Sequence, residues 1–175
     1  MKFNALVAAL AITFAAAASA QTANTGPVKI GFITDMSSLY ADIDGPAGGE
    51  MIKWAVADFG GKVLGRPIEV LTADHQNKAD VASSKAREWM DKDNLALLVG
   101  GTSSGTAIAM SKVAAEKKRP FIVVGAGSAR LTNEDCTAYT VHYAYDTVAL
   151  AKVAGSALVP CLRSVKPMDA NVTNT

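Results

Sequence analysis

Five short apolar runs, each followed by a cluster of small polar residues, constrain this 175-residue chain more than any other feature. They are Val28 to Thr34, Pro67 to Thr72, Leu95 to Val99, Pro120 to Val124 and a weaker Thr140 to Tyr143. Segments with helical spacing lie between them. One starts near Pro46, puts Met51, Ile52, Ala55, Val56 and Phe59 on a common face, and stops at Gly60-Gly61. Asn77 is placed to cap the next, whose inward stripe is Ala82, Ala86, Trp89 and Met90. A third runs from Ser104 to Lys118 with Ala107, Met110 and Ala114 inward. Asp146 caps a last one that reaches about Val159. Beyond it the sequence has two prolines, no periodicity and a polar finish, which predicts an irregular tail.

Strands alternating with helices of this length imply right-handed crossovers and a parallel sheet covered on both faces. Nearly continuous apolar strands suit such a sheet. The expected fold is therefore α/β, a three-layer sandwich around a doubly wound parallel sheet in the flavodoxin-like order 2-1-3-4-5. Ligands in such sheets bind beyond the carboxyl ends of the strands. Here those ends are residues 35–44, 74–77, 100–105, 125–130 and 142–146, most of them rich in Gly, Ser, Thr, Asp and Tyr.

The first twenty residues begin Met1-Lys2, continue as a short apolar run and end in Ala18-Ser19-Ala20. That pattern predicts a secretory signal peptide over 1–20, cut after Ala20, and export to a bacterial periplasm. The run is shorter than the roughly 20 residues a spanning helix needs. The chain carries 17 Lys and Arg against 16 Asp and Glu, and Lys2 is the only charged residue of the leader. Residues 21–175 are thus formally neutral, and no basic face suggests nucleic acid. Lys117-Lys118-Arg119, the densest basic run, sits at a helix end, where cations suit the exposed carbonyls. Cys136 and Cys161 lack metal-site spacing, so no metal or cofactor is expected; an oxidising compartment would permit a bridge without establishing one.

The stretch "VGGTSSGTA", residues 99–107, admits three chemistries. Gly101 to Gly105 fits the G-x-S-x-G pattern of a nucleophile elbow, with Ser103, Asp135 and His142 in the hydrolase order. No oxyanion loop of the His-Gly-Gly-Gly kind lies upstream, and a lone histidine at a strand end is more often structural. Gly100 to Thr106 fits a phosphate loop except that Thr106 replaces the lysine that engages the outer phosphates. The third reading is a passive cradle, in which hydroxyls and unpaired N–H groups at a helix N-terminus hold a small anion. Gly125-Ala126-Gly127-Ser128 offers the same chemistry at the next strand end, which favours the cradle over plain helix capping.

The leader, "VKIGFITDMSSLYADIDG", "DFGGKVLGRPIEVLTADHQNKADVASSKAREW", "LLVGGTSSGTA" and "RPFIVVGAGSARLTNEDC" together resemble the type I periplasmic substrate-binding proteins of ABC importers, over about residues 1–158. The branch they resemble is the leucine/isoleucine/valine-binding type, with relatives that take aromatic or other small carboxylic acids. The resemblance implies two lobes closing on a ligand, non-catalytic capture of a small carboxylate, and a membrane permease as partner. It assigns ligand contacts to Ser103 or Ser104 and to Ala126, Gly127 and Ser128. It also implies a side-chain pocket at Tyr40 and Ile43, with Tyr145 near the crossing to the second lobe. Residues 21–145 would be the first, ligand-binding lobe. Residues 146–175 would be the opening helix of a truncated second lobe plus a tail unlike the family's next strand, and the chain is expected to be impaired in binding. Two alternatives stay open at this point: a secreted serine hydrolase using Ser103, and a ligand-sensing receptor module, which shares this fold.

Overall fold

The side chains of Val28–Thr34 (β1) alternate between two faces, and Gly31 to Thr34, its carboxyl-terminal half, are buried on both. The computed structural model describes residues 26–164; the expected signal peptide and residues 165–175 lie outside them. After β1 come α1 (Ala41–Asp58), β2 (Lys62–Val63), β3 (Arg66–Asp74), α2 (Ala79–Lys92), β4 (Leu97–Gly100) and α3 (Ser104–Lys117). Then follow β5 (Phe121–Val123), a 3-10 turn (Ala129–Thr132), β6 (Thr140–His142) and α4 (Thr147–Ser164). One six-stranded sheet has the order β2-β3-β1-β4-β5-β6. Every pairing is parallel except that of β2 with β3. With β2 set aside, the five parallel strands stand in the expected order 2-1-3-4-5.

The layers follow from crossover handedness. The chain steps one way from β1 to β3 and the other way through β4 and β5, so right-handed connections put α1 on one face and α2 with α3 on the other. On the α2/α3 face, Ala82, Ala86, Trp89, Met110 and Ala114 pack against Ile33, Leu98, Phe121 and Val123. The inward stripes expected for these two helices are the buried ones. Gly31 admits the Trp89 ring, since a Cβ there would lie 2.7 Å from Trp89 Cε3.

The α1 face departs from expectation. Met51, Ala55 and Phe59, three of the five residues expected inward, are exposed, Met51 and Phe59 by 60% and 69%. Helix and sheet meet instead through Gly48 and Gly49: added Cβ atoms would lie 2.8 Å from Phe32 Cζ and 2.9 Å from Thr72 Cγ2. Close contact at the start of the helix leaves its far half standing off the sheet. An open apolar groove of about 360 Å³ results, lined by Ile52, Val56 and Phe59 of α1 and by Ile30, Leu97 and Val99 of the strands. Helicity also begins before Pro46, with a first turn from Ala41 and a break at Gly45 (φ −36°, ψ −122°). The break is where it must be, because proline disfavours helical geometry in the residue before it.

Three further differences are local. Asn77 does not cap α2; Lys78 holds that position, and Asn77 sits at φ +54°. The reason is the turn before the helix, where Asn77 N–H donates to His75 Nδ1 at 3.0 Å. The hairpin strand β2 and the 3-10 turn had no sequence expectation. The tail expected to be irregular after Val159 is helical as far as Ser164. Asp146 does cap α4, accepting from Ala149 N–H at 2.7 Å. Leu150 and Val153 of α4 are both exposed. Among the described residues no helix is long and apolar enough to cross a membrane.

Candidate functional site

The carboxyl ends of β1, β4 and β5 converge on a cleft of about 400 Å³. Thr102 and Ser104 contribute from the β4–α3 turn, and Val124, Gly125 and Gly127 from the end of β5. Tyr40 and Ile43 come from the start of α1, Tyr145 and Thr147 from the approach to α4, and none of these nine residues is charged.

The β4–α3 turn depends on two glycines. Gly100 and Gly101 have φ of +139° and +80°. Because Ile33 and Gly100 are in register, a Cβ on Gly100 would fall 2.1 Å from Ile33 O; one on Gly101 would fall 2.9 Å from Ala107 Cβ. The first α3 bond runs from Ala107 N–H to Ser103 O at 2.9 Å. The N–H groups of Ser104, Gly105 and Thr106 therefore have no carbonyl within the helix, and they lie at the positive end of its dipole. Thr102 stands beside them, 7% exposed, with its Oγ1 buried and without a partner. A Cβ on Gly125 would crowd that hydroxyl at 3.1 Å, so glycine keeps its surroundings open. A buried hydroxyl without a partner is costly, and here it stands beside the free N–H groups at the start of α3.

Five of the eight expected site residues line this cleft: Tyr40, Ile43, Ser104, Gly127 and Tyr145. The other three are placed differently. Ser103 is the N-cap residue of α3, and its carbonyl accepts from the Thr106 hydroxyl at 2.9 Å. Ala126 is fully buried and its carbonyl is hydrogen-bonded to His142 Nε2 at 2.5 Å. Ser128 accepts from Arg130 N–H at 3.4 Å and so caps the 3-10 turn. The hydrolase arrangement is not assembled: His142 is engaged by Ala126, and Asp135 pairs with Arg130 at 2.6 Å and Lys112 at 3.4 Å. Thr102, the hydroxyl with the clearest need of a ligand, had no assignment from sequence. Its signal in the sequence is its place as the first hydroxyl after Gly100-Gly101, just ahead of the serines at the capping positions.

A second group missed from sequence holds Tyr40. Register pairs Thr34 with Asp74, which brings Asp35 and Asp74 to one strand end. Asp35, fully buried, accepts from Ser38 N–H and Tyr40 N–H at 2.9 Å, from the Ser38 hydroxyl at 2.5 Å and from Ser37 N–H at 3.4 Å. Asp74 accepts from Met36 N–H (3.0 Å), Gln76 N–H (2.7 Å) and the Ser37 hydroxyl (2.5 Å). Thr34 donates to Asp44 at 2.8 Å just before the kink. Burial opposes ionisation of Asp35, but the bonds from Ser38, Tyr40 and Ser37 outweigh it and hold its carboxyl below the usual range. Asp74 is lowered in the same way, through Ser37, Met36 and Gln76.

His75 lies against this group, fully buried, with Nε2 unpartnered. Burial pushes its pKa below the ordinary value in spite of the charges on Asp35, Asp74 and Asp44. A lowered imidazole pKa means the folded chain prefers neutral histidine. Its stabilising contribution is complete above the unfolded pKa of about 6.5 and is lost as pH falls from there through the folded pKa. Urea midpoints should be level from pH 8 to 7 and decline below about 6.5. His75→Asn, which keeps an acceptor for Asn77 N–H, should flatten that decline; equal slopes in parent and variant would contradict the assignment.

Residues 27–162 match the family model described as periplasmic binding protein, and with this site and fold the chain belongs to that family. Among solved structures it is similar to a periplasmic binding protein from Burkholderia mallei, with 71% identity over 77% of this chain and 36% of that one, and a TM-score of 0.75. A branched-chain amino acid ABC transporter periplasmic ligand-binding protein from Burkholderia xenovorans is 34% identical, over 77% and 36% of the two chains, with a TM-score of 0.72. An ABC transporter solute binding protein from R. palustris, solved with benzoate, is 26% identical over 78% and 38%, with a TM-score of 0.70. The chain thus spans little more than a third of the length of these structures. Among curated proteins, none matches it.

Proposed function

We propose that this chain forms the ligand-gripping part of a periplasmic substrate-binding protein of an ABC importer, and that its cleft captures a small carboxylate without chemical conversion. The single observation that carries the reading is Thr102 Oγ1, buried, unpartnered and at the mouth of the α3 N-terminus. A carboxylate seated there accepts hydrogen bonds from the first free N–H groups of α3 and, once the Thr102 side chain turns toward the cleft, from the Thr102 hydroxyl, with the helix dipole favouring its charge. Tyr40, Ile43 and Tyr145 then face the rest of the ligand, which suits an apolar or aromatic body. The relatives support both kinds, one described as a branched-chain amino acid binder and others solved with benzoate and 4-hydroxybenzoate. Export by the 1–20 leader, a periplasmic location and delivery to a membrane permease belong to the same reading.

Thr102→Val tests it. The substitution is nearly isosteric and removes a buried hydroxyl that the unliganded fold does not use, so stability should hold or rise by about 1 kcal/mol. Affinity for benzoate or L-leucine, whichever the parent binds, should fall about tenfold or more, because a hydrogen bond to a charged group is lost. Unchanged affinity with unchanged stability would place the carboxylate elsewhere.

A further inference from the structure

Tyr40 reaches the cleft from a loop with no strand partner of its own, so something other than the sheet must fix its position. Residues 36–40 lie between β1 and α1, and the backbone bonds local to them are the turns Ala41 N–H to Ser38 O and Ile43 N–H to Tyr40 O. Their connection to the sheet is made by side chains. Asp74 holds the foot of the loop, at Met36 and the Ser37 hydroxyl, whereas Asp35 holds its far end, at Ser38 and Tyr40.

We propose that Asp35 is a positioning residue for ligand capture: its carboxylate, through the Tyr40 N–H and the Ser38 N–H and hydroxyl, sets where Tyr40 stands against the α3 N-terminus. The proposal rests on the reading of the cleft as the ligand site. Three features of Asp35 carry it. The residue is fully buried, so its geometry is fixed by packing around the end of β1. Both oxygens are committed, Oδ1 to Ser37 and Ser38 and Oδ2 to Ser38 and Tyr40. Each oxygen also faces a backbone N–H, which can only donate, so an acceptor is required on both sides.

Asp74 differs in that last respect and supplies the control. Its Oδ1 faces the N–H groups of Met36 and Gln76, but its Oδ2 faces only the Ser37 hydroxyl, which can accept as well as donate. Asp74→Asn therefore fits with its amide oxygen toward the N–H groups and its NH2 toward Ser37. Asp35→Asn has no such solution, since either flip sets an NH2 against a backbone N–H. The two variants remove one carboxylate each from the ends of adjacent strands, so a role in charge alone would make them alike.

Amide hydrogen exchange on the ligand-free chain separates the cases, with the β1 and β4 amides as internal reference. Asp35→Asn should speed exchange at Ser38 and Tyr40 by about tenfold or more, the scale of a lost bond to a charged group, and Asp74→Asn should leave both amides near parent rates. Affinity for whichever of benzoate and L-leucine the parent binds should fall about tenfold in Asp35→Asn alone. Equal acceleration in both variants, acceleration in neither, or loosened amides with unchanged affinity would each overturn the proposal. If Asp35→Asn does not fold, Ser38→Ala takes its place: it removes one accepted bond at an exposed residue, and it should speed Ser38 and Tyr40 exchange and weaken binding in parallel. A parent that binds neither probe would remove the carboxylate reading, while the exchange data would still report whether Asp35 fixes Tyr40.

Discussion

Gly100→Ala is expected to leave the chain unfolded or close to it. The position has φ +139°, and a methyl group would be built 2.1 Å from the Ile33 carbonyl oxygen of the neighbouring strand. That oxygen belongs to the central strand, whose neighbours β3 and β4 pin it on both sides. Backbone strain of this kind costs about 1–3 kcal/mol, and forcing extra volume into a packed site costs about as much again. A domain with a total stability of roughly 5–15 kcal/mol loses a large part of it. The loss should appear in urea unfolding as a much lower midpoint or the absence of a folded baseline. Gly105→Ala is the matched control, since a Cβ there meets nothing within 4 Å. A Gly100→Ala midpoint close to the parent's would mean that the β4–α3 turn can relax in a way the fold does not suggest.

The second large effect concerns affinity. Residues 21–175 should bind benzoate at least tenfold to a hundredfold more weakly than the R. palustris protein solved with benzoate does, on the order of what a half-open site forfeits. Ile43 and Tyr145, which line the cleft, are 68% and 60% exposed, so one side of any ligand stays in water. Small-molecule sites ordinarily bury about 70–90% of their ligand. Leaving roughly 100 Å² of apolar ligand surface wet costs about 2.5 kcal/mol, which is nearly two decades of affinity. Titration calorimetry on the two proteins side by side decides it. Matching micromolar constants would show that the cleft described here is sufficient by itself.

What could be seen in advance divides along physical lines. The five parallel strands and their order were legible because buried parallel strands write themselves as apolar runs, and the inward stripes of α2 and α3 because each helix covers a sheet along one face. The two-residue strand β2 was not, since Lys62-Val63 is too short to carry any period and Gly60-Gly61 looks like no more than a helix stop. The α1 face misled because large apolar residues were weighed as the contact, whereas Gly48 and Gly49 make it by having no side chain. The cleft was legible as an edge and as five of its lining residues, Tyr40 and Ser104 among them. Thr102 was not legible, because burial, not residue type, distinguishes it from the two serines that follow. The Asp35 brace was out of reach altogether: it needs the β1–β3 register, a pairing of Thr34 with Asp74 forty residues on, which no local pattern encodes.

The most direct test of carboxylate capture is a proton–nitrogen correlation NMR titration of residues 21–175 with benzoate and, separately, L-leucine. Weak binding is no obstacle to that measurement. Saturable shifts are predicted at the amides of Ser104, Gly105 and Thr106 and at Gly125 and Gly127, with about tenfold or more ligand needed to reach them in Thr102→Val. Saturable shifts confined to other amides, or an unchanged titration midpoint in Thr102→Val, would contradict capture of a carboxylate at the α3 N-terminus.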